Sequence, residues 1–269
     1  MRILTACGAG FQPAVSPASC RRRQDRAGWK PAVRRAGCPR YLALALAFLA
    51  SSCSLPRAPW ANEPIGNELN LAFRLRQNLI ELQTVTIDGR TGRFILGSAA
   101  PRTIVDPRFD PSARLVQLSE KETLRLTTAP VPLGGVADAI IGADAWRQRA
   151  ITIDYRVGLV SWQRDGIKPD YMTVYRFDAE PMINLVADGR RISAIVDTSL
   201  PDTLVLPAKE KARGTVRVHI ADVDFGDIDV QYANVAAPRI GNRLLSRFLV
   251  TIDYGRRLVG LWQDPRMRQ

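Results

Sequence analysis

The residues of this chain best placed to do chemistry lie in the stretch AIVDTSLPDTLVLP, Ala194 to Pro207. An apolar strand there runs into Asp197-Thr198-Ser199, a turn of small polar residues that presents a carboxylate. A carboxylate displayed this way can serve as a general base toward water. One hundred residues earlier, FILGSAAPRTIVDP (Phe94 to Pro107) has the same build of apolar strand, small-residue turn, proline and second apolar step. Its turn reads Gly97-Ser98-Ala99, so the position that matches Asp197 has no side chain at all.

Other reactive groups offer less. His219 is the only histidine, which leaves Ser98 and Ser199 without a partner base and rules out a histidine-rich metal site. It falls in the alternating run TVRVHIADV and reads as a strand-surface residue. DVDFGDIDV (Asp222 to Val230) holds four acids. Their alternation with Val, Phe and Ile about a Gly226-Asp227 turn describes a solvated hairpin face rather than a calcium loop. No metal and no other cofactor is expected.

The elements that would position the two turns form an internal repeat. TVTIDGRTGRFILGSAAPRTIVDP (Thr84 to Pro107) sets against NLVADGRRISAIVDTSLPDTLVLP (Asn184 to Pro207) at an offset of 100. IGADAWRQRAITIDYRVGLV (Ile141 to Val160) sets against IGNRLLSRFLVTIDYGRRLV (Ile240 to Val259) at an offset of 99. Two long matches in the same order at nearly one offset describe a duplicated lobe. Each lobe reads as β. Asp88-Gly89 and Asp188-Gly189 between apolar runs predict tight hairpins. The alternating Ile, Val, Thr and Tyr of AITIDY and LVTIDY predict strands, with a short helix before each at WRQRA and LLSRF. In NELNLAFRLRQNLIEL the periodicity allows a helix, but the repeat assigns its second half to a strand. Trp146, Trp162 and Trp262 are expected in the core.

The ends say where the chain works. Residues 1–52 carry nine Lys and Arg against one acid, +8 of the chain's +12, so the remainder carries +4. The ten apolar residues Tyr41 to Ala50 and a small-residue exit at Ser51-Ser52-Cys53 follow. That is the layout of a secretory signal, and it is too short to span a bilayer core of about 30 Å as a helix. LASSC (Leu49 to Cys53) resembles the lipobox of bacterial lipoproteins, in which the cysteine is lipidated. The four cysteines are Cys7, Cys20, Cys38 and Cys53, so beyond Cys53 no thiol remains to pair with it. Ordinary signal-peptidase cleavage elsewhere is the alternative, and the long basic segment also fits a misplaced start codon. Residues 53–69 read as a tether. The mild, interspersed charge of the remainder gives no footprint for nucleic acid.

Together the turn, the spacing, the closing TIDY strands and the duplication resemble the retropepsin-like aspartic peptidases, over roughly residues 70–265. Each lobe in that family has a hairpin, an apolar strand, an Asp-Thr-Gly turn, a flap, and an apolar-apolar-Gly segment before a short helix. Asp197-Thr198-Ser199 matches the turn of lobe two; Ile140-Ile141-Gly142 and, less well, Arg239-Ile240-Gly241 match the later segments. The resemblance implies an all-β fold of two tandem retropepsin-like lobes, 70–168 and 169–269, forming a pseudo-dimer with a central cleft. It also implies two carboxylates about 3 Å apart that share one proton, with the Thr of each turn locking the pair together.

Against that pattern Gly97-Ser98-Ala99 keeps a hydroxyl and lacks the carboxylate, while Asp197 and Thr198 remain and Ser199 replaces glycine. A lone Asp lacks a protonated partner, and loss of one acid/base group forfeits about 10²–10⁴-fold in rate. Asp106 and Asp202 lie too far along their strands to substitute. Asp144 is expected to pair with Arg243 across the lobes. Three readings follow. The chain is a catalytically degenerate lipoprotein of the bacterial envelope, facing the periplasm, whose cleft binds a peptide or protein. Alternatively, it is an active aspartic endopeptidase using Asp197 through dimerisation or a substitute acid, or a structural lipoprotein whose cleft has closed.

Overall fold

The computed structural model describes residues 69–263, apart from 121, 126–127, 148 and 164–165. The leader, Cys53 and the tether therefore lie outside the described residues. Among the described residues the fold is all-β, with one short α-helix.

The first half runs β1 (Asn70–Arg76), β2 (Leu79–Leu82), β3 (Thr86–Ile87), β4 (Phe94–Leu96) and β5 (Ile104–Val105). It continues with β6 (Leu115–Ser119), β7 (Glu122–Arg125), β8 (Ala129–Pro130), β9 (Ala139–Ile141), a 3-10 turn at Ala143–Ala145, β10 (Ala150–Asp154) and β11 (Leu159–Gln163). The second half runs β12 (Thr173–Arg176), β13 (Met182–Ala187), β14 (Arg190–Val196), β15 (Leu204–Pro207) and β16 (Ala212–Ile220). It ends with β17 (Val223–Ala233), β18 (Arg239–Ile240), α1 (Asn242–Leu245), β19 (Leu249–Asp253) and β20 (Leu258–Trp262).

Both Asp-Gly turns form. Asp88 and Gly89 have φ of 46° and 76°, and Asp188 and Gly189 have 46° and 75°. Positive φ at both central residues gives the turn whose twist suits a hairpin. The two aspartates do a second job. Asp88 accepts backbone N–H bonds from Arg114 and Leu115, and Asp188 accepts one from Arg217. Each turn is thereby tied to a later strand of its half, β6 or β16.

Two local expectations are corrected. Within NELNLAFRLRQNLIEL, Asn70–Arg76 is a strand too, because Gln77 and Asn78 both take positive φ (52° and 61°) and fold β1 back onto β2. Burial of Leu71 and Phe73 in the shared core outweighs the helical periodicity. The turn in the acidic hairpin falls at Ala221 and Asp222 rather than at Gly226-Asp227. Gly226 (φ 64°) lies within β17, close to an irregularity in its register with β16. There Asp224 pairs with Arg217 at 2.5 Å, and half-exposed His219 stands 3.6 Å from the same carboxylate.

The halves meet along the TIDY strands. β10 and β19 pair antiparallel with Thr152 opposite Thr251, and their hydroxyls lie 2.8 Å apart in the buried centre of the sheet. β11 and β1 extend the sheet on one side, β20 and β12 on the other. One continuous core joins the halves and includes Phe94, Leu96, Val196, Ile240 and Trp146. Trp162 is also buried and packs edge-on against Trp146, while Trp262 is half-buried.

Candidate functional site

Each critical turn is threaded through the same strand arrangement. β4 pairs parallel with β9, and the strand after the turn, β5, pairs antiparallel with β9. In the second half β14 and β15 flank β18 in the same way. The chain must therefore cross over between the flanking strands, and that crossover is the turn. Its backbone is fixed by Gly97 N–H donating to Ile141 O and Asp197 N–H donating to Ile240 O, both at 2.9 Å. The glycine that follows each strand is needed for close approach. A Cβ on Gly142 would sit 2.8 Å from Ala100 O, and one on Gly241 would sit 2.6 Å from Leu200 O.

The two turns interlock. Ser98 Oγ donates to Val196 O at 2.6 Å and accepts from Thr198 N at 3.0 Å. Thr198 Oγ1 donates to Leu96 O at 2.8 Å and accepts from Ser98 N at 2.9 Å. Both side chains are fully buried, so each bond is made without competition from water. The outer ties follow. Tyr254 donates its hydroxyl to Ser98 O at 2.9 Å, and Tyr155 donates to Asn242 Oδ1 at 2.8 Å. Buried Asn242 in turn donates to Thr198 O at 2.7 Å and to Asn78 O at 2.6 Å, closing a network across the halves.

Asp197 sits at the edge of this lock with its side chain 7% exposed. Oδ1 accepts from Ser199 N at 3.0 Å and Ser199 Oγ at 2.6 Å. Oδ2 accepts from Arg239 Nη1 at 2.7 Å. Burial, and after it the charge of Asp197, holds the Tyr254 phenol above its ordinary range, so it stays a neutral donor. Both carboxylate oxygens are therefore engaged, one of them by a guanidinium.

The first half has a different filling. A Cβ built on Gly97 would collide with Ile140 Cγ2. Ile140 stands opposite Ile95 on β9, as Arg239 stands opposite Ile195 on β18. One half of the junction therefore holds glycine with isoleucine, the other aspartate with arginine.

None of the other acids considered joins the junction. Asp106 accepts backbone N–H bonds from Arg108 at 2.9 Å and Leu133 at 2.8 Å, which hold its carboxyl below the ordinary range. Asp202 accepts from Gln231 at 2.5 Å. Asp144 does not pair with Arg243. It accepts from Thr103 N at 2.9 Å and Thr103 Oγ1 at 2.8 Å, within its own half. A polar cavity of about 380 Å³ lies beyond Pro201, lined by Asp202, Arg213, Asp229, Gln231 and Arg243 of the second half and by Asn78 of the first.

The topology also differs from the flap that the resemblance implies. The hairpin between turn and glycine segment is β6–β7 in one half and β16–β17 in the other. β6 pairs with β3, β16 with β13, and β17 with β15, so both hairpins are built into sheet walls. Only residues 208–211 separate β15 from β16. Among the described residues, neither half has a free hairpin placed to close over the junction as a lid.

The sequence pointed to Asp197, Thr198, Gly97, Ser98 and Ala99, and the structure brings these turns together. It did not foresee Arg239 and Ser199 as the partners of Asp197, or Ile140 as the side chain filling the space beside Gly97. The available signal was the arginine in Arg239-Ile240-Gly241, where the equivalent segment of the first half begins with Ile140.

No protein-family model matches the chain, and no curated protein does. Among solved structures, a retropepsin-like aspartic protease from Rickettsia conorii matches at 21% identity. The match covers 34% of this chain and 92% of that one, with a TM-score of 0.28.

Proposed function

We propose that this chain is a duplicated retropepsin-like protein that has lost peptidase chemistry and binds a peptide or protein at the junction of its halves. In the same reading it is carried on the bacterial envelope, facing the periplasm, through lipid on Cys53. The observation that carries the non-catalytic part is the state of Asp197. Both of its oxygens are taken by Ser199 and Arg239, and the matching position is Gly97 with Ile140 in the space beside it. Aspartic-peptidase chemistry needs two carboxylates that share one proton. Here the only carboxylate among the turn residues is already neutralised.

What persists is the scaffold. The Ser98–Thr198 lock is complete, and a polar cavity draws on both halves, with Asn78 from the first. A cavity of that size, with charged and amide groups converging on it, can take a peptide segment.

The test is incubation of the purified full chain in detergent with an N-acetylated peptide library from pH 3 to 7, read by mass spectrometry. The expected result is intact peptides at every pH, with a subset retained on the protein. Cleavage that disappears in Asp197→Asn and is blocked by a pepstatin-type inhibitor would overturn the proposal and favour an active peptidase.

A further inference from the structure

The junction that would carry two carboxylates in a two-carboxylate site holds a carboxylate–guanidinium pair instead, with the guanidinium the more exposed partner. Arg239 holds Asp197 with Nη1 at 2.7 Å, yet its side chain remains 33% exposed while that of Asp197 is 7% exposed. A guanidinium has five N–H donors. Among the described residues only this bond engages them, so the outward edge of the group is open. Asp197 is itself anchored by Ser199 N–H and Oγ. The guanidinium is therefore braced from below by a fixed, buried carboxylate and needs little ordering to meet a ligand. That is the preorganisation that makes an arginine fork effective toward carboxylates.

An aliphatic side chain lies at the same junction. Half-buried Ile140 fills the space beside Gly97, and the interlocked turns hold Gly97 and Asp197 next to each other. A guanidinium at a junction that also holds an aliphatic side chain suits a carboxylate carried on an apolar residue.

We infer that Arg239 anchors a ligand carboxylate, and that the peptides bound at this junction carry one, at a free C-terminus or on an acidic side chain. This rests on the peptide-binding reading and specifies its ligand class. The Asp197–Arg239 pair is then the floor of an anion site, with Arg239 shared between the internal carboxylate and an external one.

The experiment titrates the full-length protein in detergent with three N-acetylated hexapeptide libraries. One ends in a free carboxylate on Val, Leu or Ile and lacks acidic residues. The second is amidated with one internal Asp or Glu, and the third is amidated and has no acid. Binding is read by calorimetry and by the ¹H–¹⁵N signal of the Arg239 Nε–H in the wild-type protein. A carboxylate-bearing library should bind about tenfold or more tightly than the third, as expected for a charge-assisted contact, and should shift the Arg239 signal. The first two libraries tell the C-terminal source from the side-chain source. Arg239→Gln should erase the preference, and Arg239→Lys should keep only part of it. Equal binding of the third library, with no shift of the Arg239 signal, overturns the carboxylate anchor and leaves peptide binding standing. Failure of all three libraries to bind overturns both.

Discussion

Ile140 occupies the space that a side chain at Gly97 would need, so the blank half of the junction is filled by its own neighbour. Placing a carboxylate at position 97 is therefore more than a single substitution. Gly97→Asp should overpack the turn and destabilise the protein by about 1–3 kcal/mol, without producing peptide cleavage. Combined with Ile140→Ala it should recover much of that stability, because the collision is with the isoleucine side chain. Thermal unfolding beside a peptide-cleavage assay checks both. A stable, proteolytically active Gly97→Asp single variant would contradict this account of the junction.

The interlock predicts a coupled pair. Ser98→Ala leaves Val196 O and Thr198 N without partners, and Thr198→Val leaves Leu96 O and Ser98 N in the same state. Each orphaned buried group costs about 1–3 kcal/mol. Because the two hydroxyls serve the same pair of turns, the double variant should lose less than the sum of the singles, with a coupling of about 0.5–3 kcal/mol. Urea unfolding of the four proteins measures the cycle, and strict additivity would refute the coupling.

The Asp197–Arg239 pair should respond asymmetrically. Asp197→Asn frees a guanidinium that already reaches solvent, a change worth less than about 1 kcal/mol. Arg239→Met strips a nearly buried carboxylate of its cation and should cost about 1–3 kcal/mol. The double variant should fall below the Arg239→Met loss. Equal costs for the two single changes, measured by urea unfolding, would show that burial does not set the difference.

Acid sensitivity follows from Asp106. Its carboxyl is held low by the N–H of Arg108 and then of Leu133. A carboxyl whose pKa is depressed on folding stabilises the folded state above its unfolded value, ~3.9. That contribution is lost as the pH falls through the folded value. Asp106→Asn should therefore be less stable than the wild type near neutral pH, and the gap should narrow below about pH 4. Unfolding curves at pH 7, 4 and 3 test the trend; a gap that is constant with pH would assign the effect to shape rather than charge.

The proposed lipid anchor on Cys53 has its own test. Cys53→Ser should move the chain from the membrane pellet to the soluble fraction after cell lysis, and should abolish incorporation of radiolabelled fatty acid. Continued labelling of that variant would place the anchor elsewhere.

Much of this molecule is legible in the sequence because its signals are local. The Asp-Gly turns need only two adjacent residues that tolerate positive φ, and the TIDY strands declare themselves by β-branched alternation. The offset of 100 sets Gly97-Ser98-Ala99 against Asp197-Thr198-Ser199 without any three-dimensional knowledge. Even the absence of a carboxylate at position 97 can be read there. The state of Asp197 cannot. Arg239 reaches Asp197 from 42 residues away, and only the parallel register of β14 with β18 puts it there. The equivalent register of β4 with β9 puts Ile140 beside Gly97. Asp144 shows the reverse case. Its expected partner Arg243 lay across the repeat in sequence, but the fold offered Thr103 within the same half. Side-chain pairing depends on which strands become neighbours and in what register, and those are properties of the packed sheet rather than of any segment read alone.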